Sequence, residues 1–337
     1  MTKPSPESSI DPSDYQAKQL DSQGRLRHLL TLDGLPAALI NRILDRAEDY
    51  LAAPDQMVVR NNALRGFTVA NLFFEPSTRT RASFELAAKR LDADVLNLDV
   101  STSSRIKGES ILDTIYTLQA MQADVFVVRD AAVGVPGMIA ASVRDGVSIL
   151  NAGEASASHP TQGLLDVLTM RRACGDIGDL KVCIVGDIAH SRVARSTASA
   201  LQTLGVDSLR LVAPAPMRPD PADFAGAEYY DNLADGVRDA DIVMALRIQH
   251  ERIVDKTGFP DTASYVDAYQ LNHDNLKGAS ANCFVMHPGP MNRGVEIDGA
   301  LADSPRSLIT EQVRNGVAIR MALLEIVVAT SKGISLS

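Results

Sequence analysis

From Arg25 onward, short β-rich apolar runs alternate with stretches whose apolar residues return at helical spacing. The strand candidates are residues 67–74, 95–98, 125–128, 147–150, 182–185, 209–212, 242–246 and 283–286. The helix candidates are residues 79–91, 110–121, 160–173, 192–204 and 311–330. An earlier segment, "PAALINRILDRAEDYLA", reads as an amphipathic helix, with Leu39, Ile43 and Ala47 on one face and Asp45 and Glu48 on another. In the last helix Val313, Val317, Met321, Leu324 and Val328 form one apolar stripe. This alternation predicts an α/β protein of parallel sheets covered by helices. Two such units are expected, meeting near residues 151–165, where "NAGEASASHPTQG" is polar, loop-like and ends at a helix start. Residues 1–24 break the pattern. Rich in Ser, Pro, Asp and Gln, they are expected to form a mobile arm that contributes little to the fold.

Composition narrows the function classes. The 337 residues, 45% hydrophobic, suit about two domains at roughly 150 residues each. A net charge of −9, from 42 acids against 33 bases, argues against a nucleic-acid or membrane-surface partner. Cys174, Cys183 and Cys283 are far apart and form no CxxC pair, so reduced thiols in a cytoplasmic protein are expected rather than a disulfide framework or a zinc site. No apolar run reaches the ~18 residues of a membrane span, and the N-terminus lacks the apolar core of an export signal. The run "VCIVGD" resembles the first strand of a dinucleotide fold, but no G-x-G-x-x-G follows, so no nicotinamide cofactor is expected.

Candidate chemistry concentrates in "NLFFEPSTRTRASFE", residues 71–85. A buried strand there turns into a helix through Glu75, Pro76, Ser77, Thr78, Arg79, Thr80 and Arg81. Backbone N–H groups at a helix start lack intrahelical partners, and the helix dipole makes that end positive. Hydroxyls and a guanidinium fork added at that point suit phosphate oxygens. Taken alone, the turn also reads as a serine cap followed by a solvated polar stretch.

The full string "FEPSTRTRASFE" resembles the carbamoyl-phosphate signature of the aspartate and ornithine transcarbamoylases. Other stretches resemble the family's motifs in the family's order: "STSSRIKGES", a phosphate loop; "VVRD", an arginine at a strand end; "HPTQGLLD", the histidine motif; and "HPGPMNRGVEI", the late proline loop. The resemblance spans residues from about 27 to 331. It implies a carbamoyl-phosphate-binding domain over residues 25–158 with 310–337, and an aspartate-binding domain over 159–309. Each is a parallel sheet flanked by helices, and the last helix returns to the first domain. It also implies a homotrimer with shared active sites, in which the domains close on substrate.

By the same resemblance, Ser77, Thr78, Arg79 and Thr80 hold the phosphate of carbamoyl phosphate, with Arg129 beside them. Thr80, Arg129 and His159 face the carbonyl oxygen. Gln162 and the backbone of the Gly289–Pro290 turn hold the carbamoyl NH2. Ser103 and Lys107 reach in from an adjacent subunit; alone, their segment reads as an exposed loop. The acceptor is expected to be aspartate: Arg192 takes its α-carboxylate, and Arg247 its side-chain carboxylate, with Gln249 assisting and Lys107 contributing. Two separated arginines suit two carboxylates, and the "HCLP" loop usual in the ornithine enzymes is absent. The implied reaction is carbamoyl transfer to aspartate, an early step of pyrimidine synthesis, with small-molecule substrates, no metal and no organic cofactor. Many aspartate enzymes carry Leu where this chain has Gly289, which is expected to loosen that loop. His287 is expected to be structural, holding the 289–290 turn. The N-terminal arm is compatible with a larger assembly containing a dihydroorotase-like chain.

Overall fold

The structure, a computed structural model, describes residues 11, 14–51, 59–99, 110–253 and 257–335. The chain divides into two compact units, residues 1–161 with 315–337 and residues 162–314.

The first unit is built on a parallel four-stranded sheet in the order β2-β1-β3-β4. In chain order it carries the short helix α1 (Gln16–Gln19), α2 (Ala37–Asp49), β1 (Thr68–Phe73), α3 (Thr78–Arg90), β2 (Asp94–Asp99), α4 (Ile111–Ala120), β3 (Val125–Asp130), α5 (Val135–Ser142) and β4 (Ser148–Glu154). The expected strand runs are all present; continuous apolar stretches such as Val125–Val128 and Ile149–Leu150 are buried on both faces, as in a helix-covered parallel sheet, whereas β2 at the edge is partly exposed. The helix α6 (Pro160–Cys174) begins in this unit and continues into the second.

The second unit has a parallel five-stranded sheet in the order β7-β6-β5-β8-β9. Its strands are β5 (Lys181–Gly186), β6 (Ser208–Val212), β7 (Glu228–Tyr230), β8 (Ile242–Leu246) and β9 (Phe284–Met286). Its helices are α7 (Arg192–Thr203), α8 (Leu233–Gly236), α9 (Thr262–Tyr269), α10 (Gly299–Ala302) and the beginning of α11 (Ile309–Lys332). β5 and β8 approach closely at their ends: Gly186 has φ +127, and a Cβ there would lie 2.3 Å from the carbonyl oxygen of Leu246. Only glycine fits.

Two expectations need correction. The arm does not extend to residue 24. Tyr15 is fully buried in the first unit's core, where it touches Gly137 and donates to Glu154 Oε2 at 2.9 Å. Gln19 is also buried, and its Oε1 accepts from the backbone N–H groups of Leu30 and Thr31 at 2.7 and 2.9 Å. The last helix has no single apolar stripe. Val313 is 60% exposed, whereas residues 316–329 are buried on every face, including Arg320 and Glu325. Those charges have partners. Arg320 donates to Gly316 O and Thr161 Oγ1 and lies over the Phe84 ring; Glu325 accepts from Arg46 at 2.6 Å and from Tyr50. The C-terminal helix is thus anchored in the first unit.

Candidate active site

In open parallel sheets, ligands bind at the carboxyl ends of the strands where the strand order reverses. In the first unit that point lies between β1 and β3, since β2 follows β1 on one side and β3–β4 extend on the other. The polar turn after β1 and the end of β3 meet there. Ser77 is the N-cap of α3 in extended conformation, yet its side chain makes no capping hydrogen bond. Thr78 and Arg79 are exposed, Ser77 is half-buried and Thr80 is buried. Arg129 is held in place by Glu75 at 2.6 Å and by donation to Ala152 O at 3.2 Å, while Phe74 N–H donates to Arg129 O at 2.9 Å. The loop after β4 closes on itself through Glu154 and Ser158 and delivers His159, buried, to the start of α6. Ser77, Thr78, Arg79, Thr80 and Arg129 are therefore gathered at one sheet edge. A cluster of helix-start N–H groups, hydroxyls and guanidiniums at that edge can hold a phosphate-like dianion.

In the second unit the order reverses between β5 and β8. Arg192, 5% exposed, opens α7 after β5, and Arg247 follows the last residue of β8. The two turns are tied by Asp187, fully buried: its Oδ2 accepts from the Gln249 N–H at 2.9 Å and its Oδ1 meets His190 Nδ1 at 2.7 Å. The start of α7 is capped by Ser191, which accepts from Ala194 N at 3.1 Å. Arg247 grips Glu251 with both terminal nitrogens, and this hydrogen bonding holds the Glu251 carboxyl below the usual range. Glu251 is 51% exposed, so the fork of Arg247 is preset to a carboxylate that solvent or a ligand can reach. Gln249 is half-buried, its amide near Arg247 O.

Gln162 and the late loop also lie in this unit. Gln162 is buried and donates to Asp166 at 2.9 Å. His287 is structural, as expected. Its Nδ1 accepts from Gly289 N at 2.8 Å, so its Nε2 carries the proton and donates to Glu296 at 2.9 Å. Gly289 has φ +65, a left-handed conformation that leucine would adopt only with strain. Pro290 is exposed at the tip. Ser103 and Lys107 lie outside the described residues.

Sequence reasoning passed over Glu75, Asp187 and Glu251, the carboxylates that orient Arg129, the Gln249 backbone and Arg247. Glu75 stands inside the quoted motif, and Glu251 lies four residues after Arg247, a spacing that alone suggests a pair. Among the described residues no group of His, Cys, Asp and Glu could hold a metal ion. No described helix is long and apolar enough to cross a membrane.

Comparison with known proteins agrees with the geometry. The profile of the aspartate/ornithine carbamoyltransferase carbamoyl-P binding domain matches residues 27–172, and that of the Asp/Orn binding domain matches residues 178–327. Among solved structures, aspartate transcarbamoylase from Trypanosoma cruzi in complex with N-(phosphonacetyl)-L-aspartic acid superposes with a TM-score of 0.82 at 27% identity, covering 92% of this chain and 98% of that one. The same enzyme with aspartate and phosphate gives 0.78 at 27%, covering 90% and 96%. Ornithine carbamoyltransferase from Thermus thermophilus gives 0.76 at 24%, covering 90% and 99%, and shares the fold. With both domain profiles matched in order over the two α/β units, the chain belongs to the aspartate/ornithine carbamoyltransferase family.

Proposed function

We propose that this carbamoyltransferase-family chain transfers the carbamoyl group of carbamoyl phosphate to L-aspartate, giving N-carbamoyl-L-aspartate and phosphate, the reaction that serves pyrimidine synthesis. The observation that carries the choice of acceptor is the pair of guanidiniums at the reversal point of the second sheet. Arg192 and Arg247 follow β5 and β8, adjacent strands, and Asp187 ties their turns. A dicarboxylate acceptor matches two such forks, whereas the side-chain amine of ornithine does not.

The donor is a mixed anhydride and already activated. In this reading Ser77, Thr78, Arg79 and Thr80 hold its phosphate, while Arg129, Thr80 and His159 stabilise the oxygen on which negative charge develops. Gln162 and the Pro290 carbonyl take the carbamoyl NH2. The uncharged amine of aspartate, held through Arg192 and Arg247 with Gln249, attacks the carbonyl carbon. The carbon–oxygen bond to phosphate breaks, and the departing phosphate takes the amine proton. Positioning and electrostatics carry such a step. Ser103 and Lys107 complete the donor site from a neighbouring subunit of a trimer, and Lys107 extends to the acceptor.

The test is phosphate release by the purified protein from carbamoyl phosphate, with and without L-aspartate. Aspartate-dependent release with an equal amount of ureido product is expected. Release no faster than spontaneous breakdown contradicts the proposal.

A further inference from the structure

Asp166 stands one helical turn after Gln162 on α6 and is fully buried. Its Oδ1 accepts from Gln162 Nε2 at 2.9 Å and from Gln312 Nε2 at 2.8 Å. Its Oδ2 accepts from Thr197 Oγ1 at 2.9 Å. Gln312 then uses its own Oε1 to accept from the backbone N–H of His287 at 2.9 Å. One carboxylate thus joins α6, the helix that begins with Arg192, the start of α11 and the loop leading to Gly289 and Pro290. All the residues that make these bonds belong to the second unit.

The chemistry of these contacts fixes a direction. A carboxylate only accepts, so any amide facing it must present its NH2. Gln312 is fixed twice, because its other end has to accept from a backbone N–H. Gln162 is turned by Asp166. With its NH2 on the carboxylate, the Gln162 carbonyl oxygen is the end left for a ligand.

We propose that Asp166 is a positioning residue that turns the carbonyl oxygen of Gln162 toward the ligand, and so selects a phosphoryl donor whose carbonyl bears NH2 over one bearing CH3. This rests on the reading above, in which Gln162 faces the carbamoyl group. An amide free to rotate would offer either end and discriminate less. A site whose buried polar groups are set for a donor rejects the analogue that lacks it, because those groups are left unpaired. The link through Gln312 to the His287 backbone stations the late loop, whose Pro290 carbonyl is a second acceptor, in the same framework.

The test compares carbamoyl phosphate with acetyl phosphate, by binding calorimetry, in the wild type, Asp166→Leu and Asp166→Asn. The wild type is expected to prefer carbamoyl phosphate by roughly a hundredfold or more. In Asp166→Leu the preference should fall at least tenfold. Asp166→Asn should keep most of it, because the tie of Gln312 to His287 N–H keeps the asparagine oxygen turned toward both NH2 groups. Asp166→Ala, which leaves room for water, is the companion where the leucine variant does not fold. A folded Asp166→Leu or Asp166→Ala with a lower melting temperature and an unchanged preference overturns the proposal and leaves Asp166 as a tie between helices. A second readout needs no activity: side-chain amide hydrogen exchange in the wild type by NMR. The Gln162 NH2 should be protected as strongly as that of Gln312, and exchange at the rate of an exposed amide overturns the assigned direction. A wild type that binds neither phosphate while the Gln162 NH2 is protected overturns the functional reading and the selectivity with it, and leaves the direction of the Gln162 amide standing.

Discussion

Two strand-to-helix turns in this molecule have the same topology and opposite chemistry. The turn from β1 to α3 ends in Ser77, an N-cap whose hydroxyl does not cap. The turn from β5 to α7 ends in Ser191, whose hydroxyl accepts from Ala194 N at 3.1 Å. At the first helix start the Ser77 hydroxyl makes no capping bond, and in the proposed reading that end serves an anion. The second is capped by Ser191, and its first helical residue is Arg192, buried at 5% exposure. A phosphate, compact and doubly charged, suits a cradle of N–H groups and hydroxyls. A carboxylate on a flexible amino acid suits a guanidinium fork, which sets direction as well as charge. In the proposed reading, one fold element, repeated in two units, serves two kinds of anion by being capped in one place and uncapped in the other.

The largest expected effects come from removing the charge at each turn. Arg79→Ala should lower the carbamoyl-transfer rate by about a thousandfold, the upper range for losing one group that stabilises developing charge, and should weaken phosphate binding with it. Arg247→Ala should cost roughly 2–5 kcal/mol in kcat/KM for aspartate, with the KM for carbamoyl phosphate nearly unchanged. Steady-state kinetics with each substrate varied in turn measures both. Equal damage to both substrates from Arg247→Ala would erase the contrast between the turns.

The first unit relies on its N-terminal segment in a way the second does not. Tyr15 fills a place against Gly137 and donates to Glu154 at 2.9 Å, at the root of the loop that carries His159. Tyr15→Ala should destabilise the protein by about 3–5 kcal/mol, read from chemical denaturation. An unchanged midpoint would mean that the segment is dispensable.

The capping contrast has its own test. Ser191→Ala should lower stability by about 1 kcal/mol, as loss of an N-cap does. Ser77→Ala should leave stability within about 0.5 kcal/mol, as for a surface change away from a cap, and should weaken phosphate binding by about 1.5–3 kcal/mol, as for a hydrogen bond to a charged group. The reverse pattern would break the comparison.

A further expected effect is pH-dependent and concerns His28, one of the buried histidines. His28 in the first unit is almost fully buried, and its Nδ1 accepts from Ile149 N at 3.0 Å, a bond only the neutral ring can make. Burial pushes its pKa down to about 3. The unfolded chain takes up a proton near pH 6.5 that the folded chain refuses. The stabilisation is therefore complete above pH 6.5 and is lost as pH falls toward about 3. Relative to His28→Gln, wild-type stability should fall by about 1.4 kcal/mol per pH unit in that window and stay level above it. Denaturation curves from pH 4 to 8 test this, and a constant difference would place a charged ring at His28.

Much of this organisation is legible in the sequence, for reasons that differ by residue. The β1–α3 turn reads directly because its groups are contiguous, and Arg247 and Gln249 because they follow an apolar strand at once. Both sheets follow from apolar runs long enough to be strands. Tyr15 is not legible. It is one aromatic in a polar string, and its burial depends on Glu154, 139 residues away. Asp166 lies inside a motif, but its partners Thr197 and Gln312 are 31 and 146 residues distant. The last helix misleads because residues 316–329 are buried on all sides, so no polar face marks its orientation. The short strand β7 and the helix α5, whose sequence begins with Val-Pro-Gly, carry too little periodicity to register.

The most direct measurement offers the purified protein labelled carbamoyl phosphate with equimolar L-aspartate and L-ornithine in one vessel, and quantifies both products. Carbamoyl-aspartate should account for nearly all of the transferred label, and replacing Arg247 with alanine should shrink that share. Label transferred mainly to ornithine, or equally to both, would contradict the assignment of Arg192 and Arg247 to the two carboxylates of the acceptor.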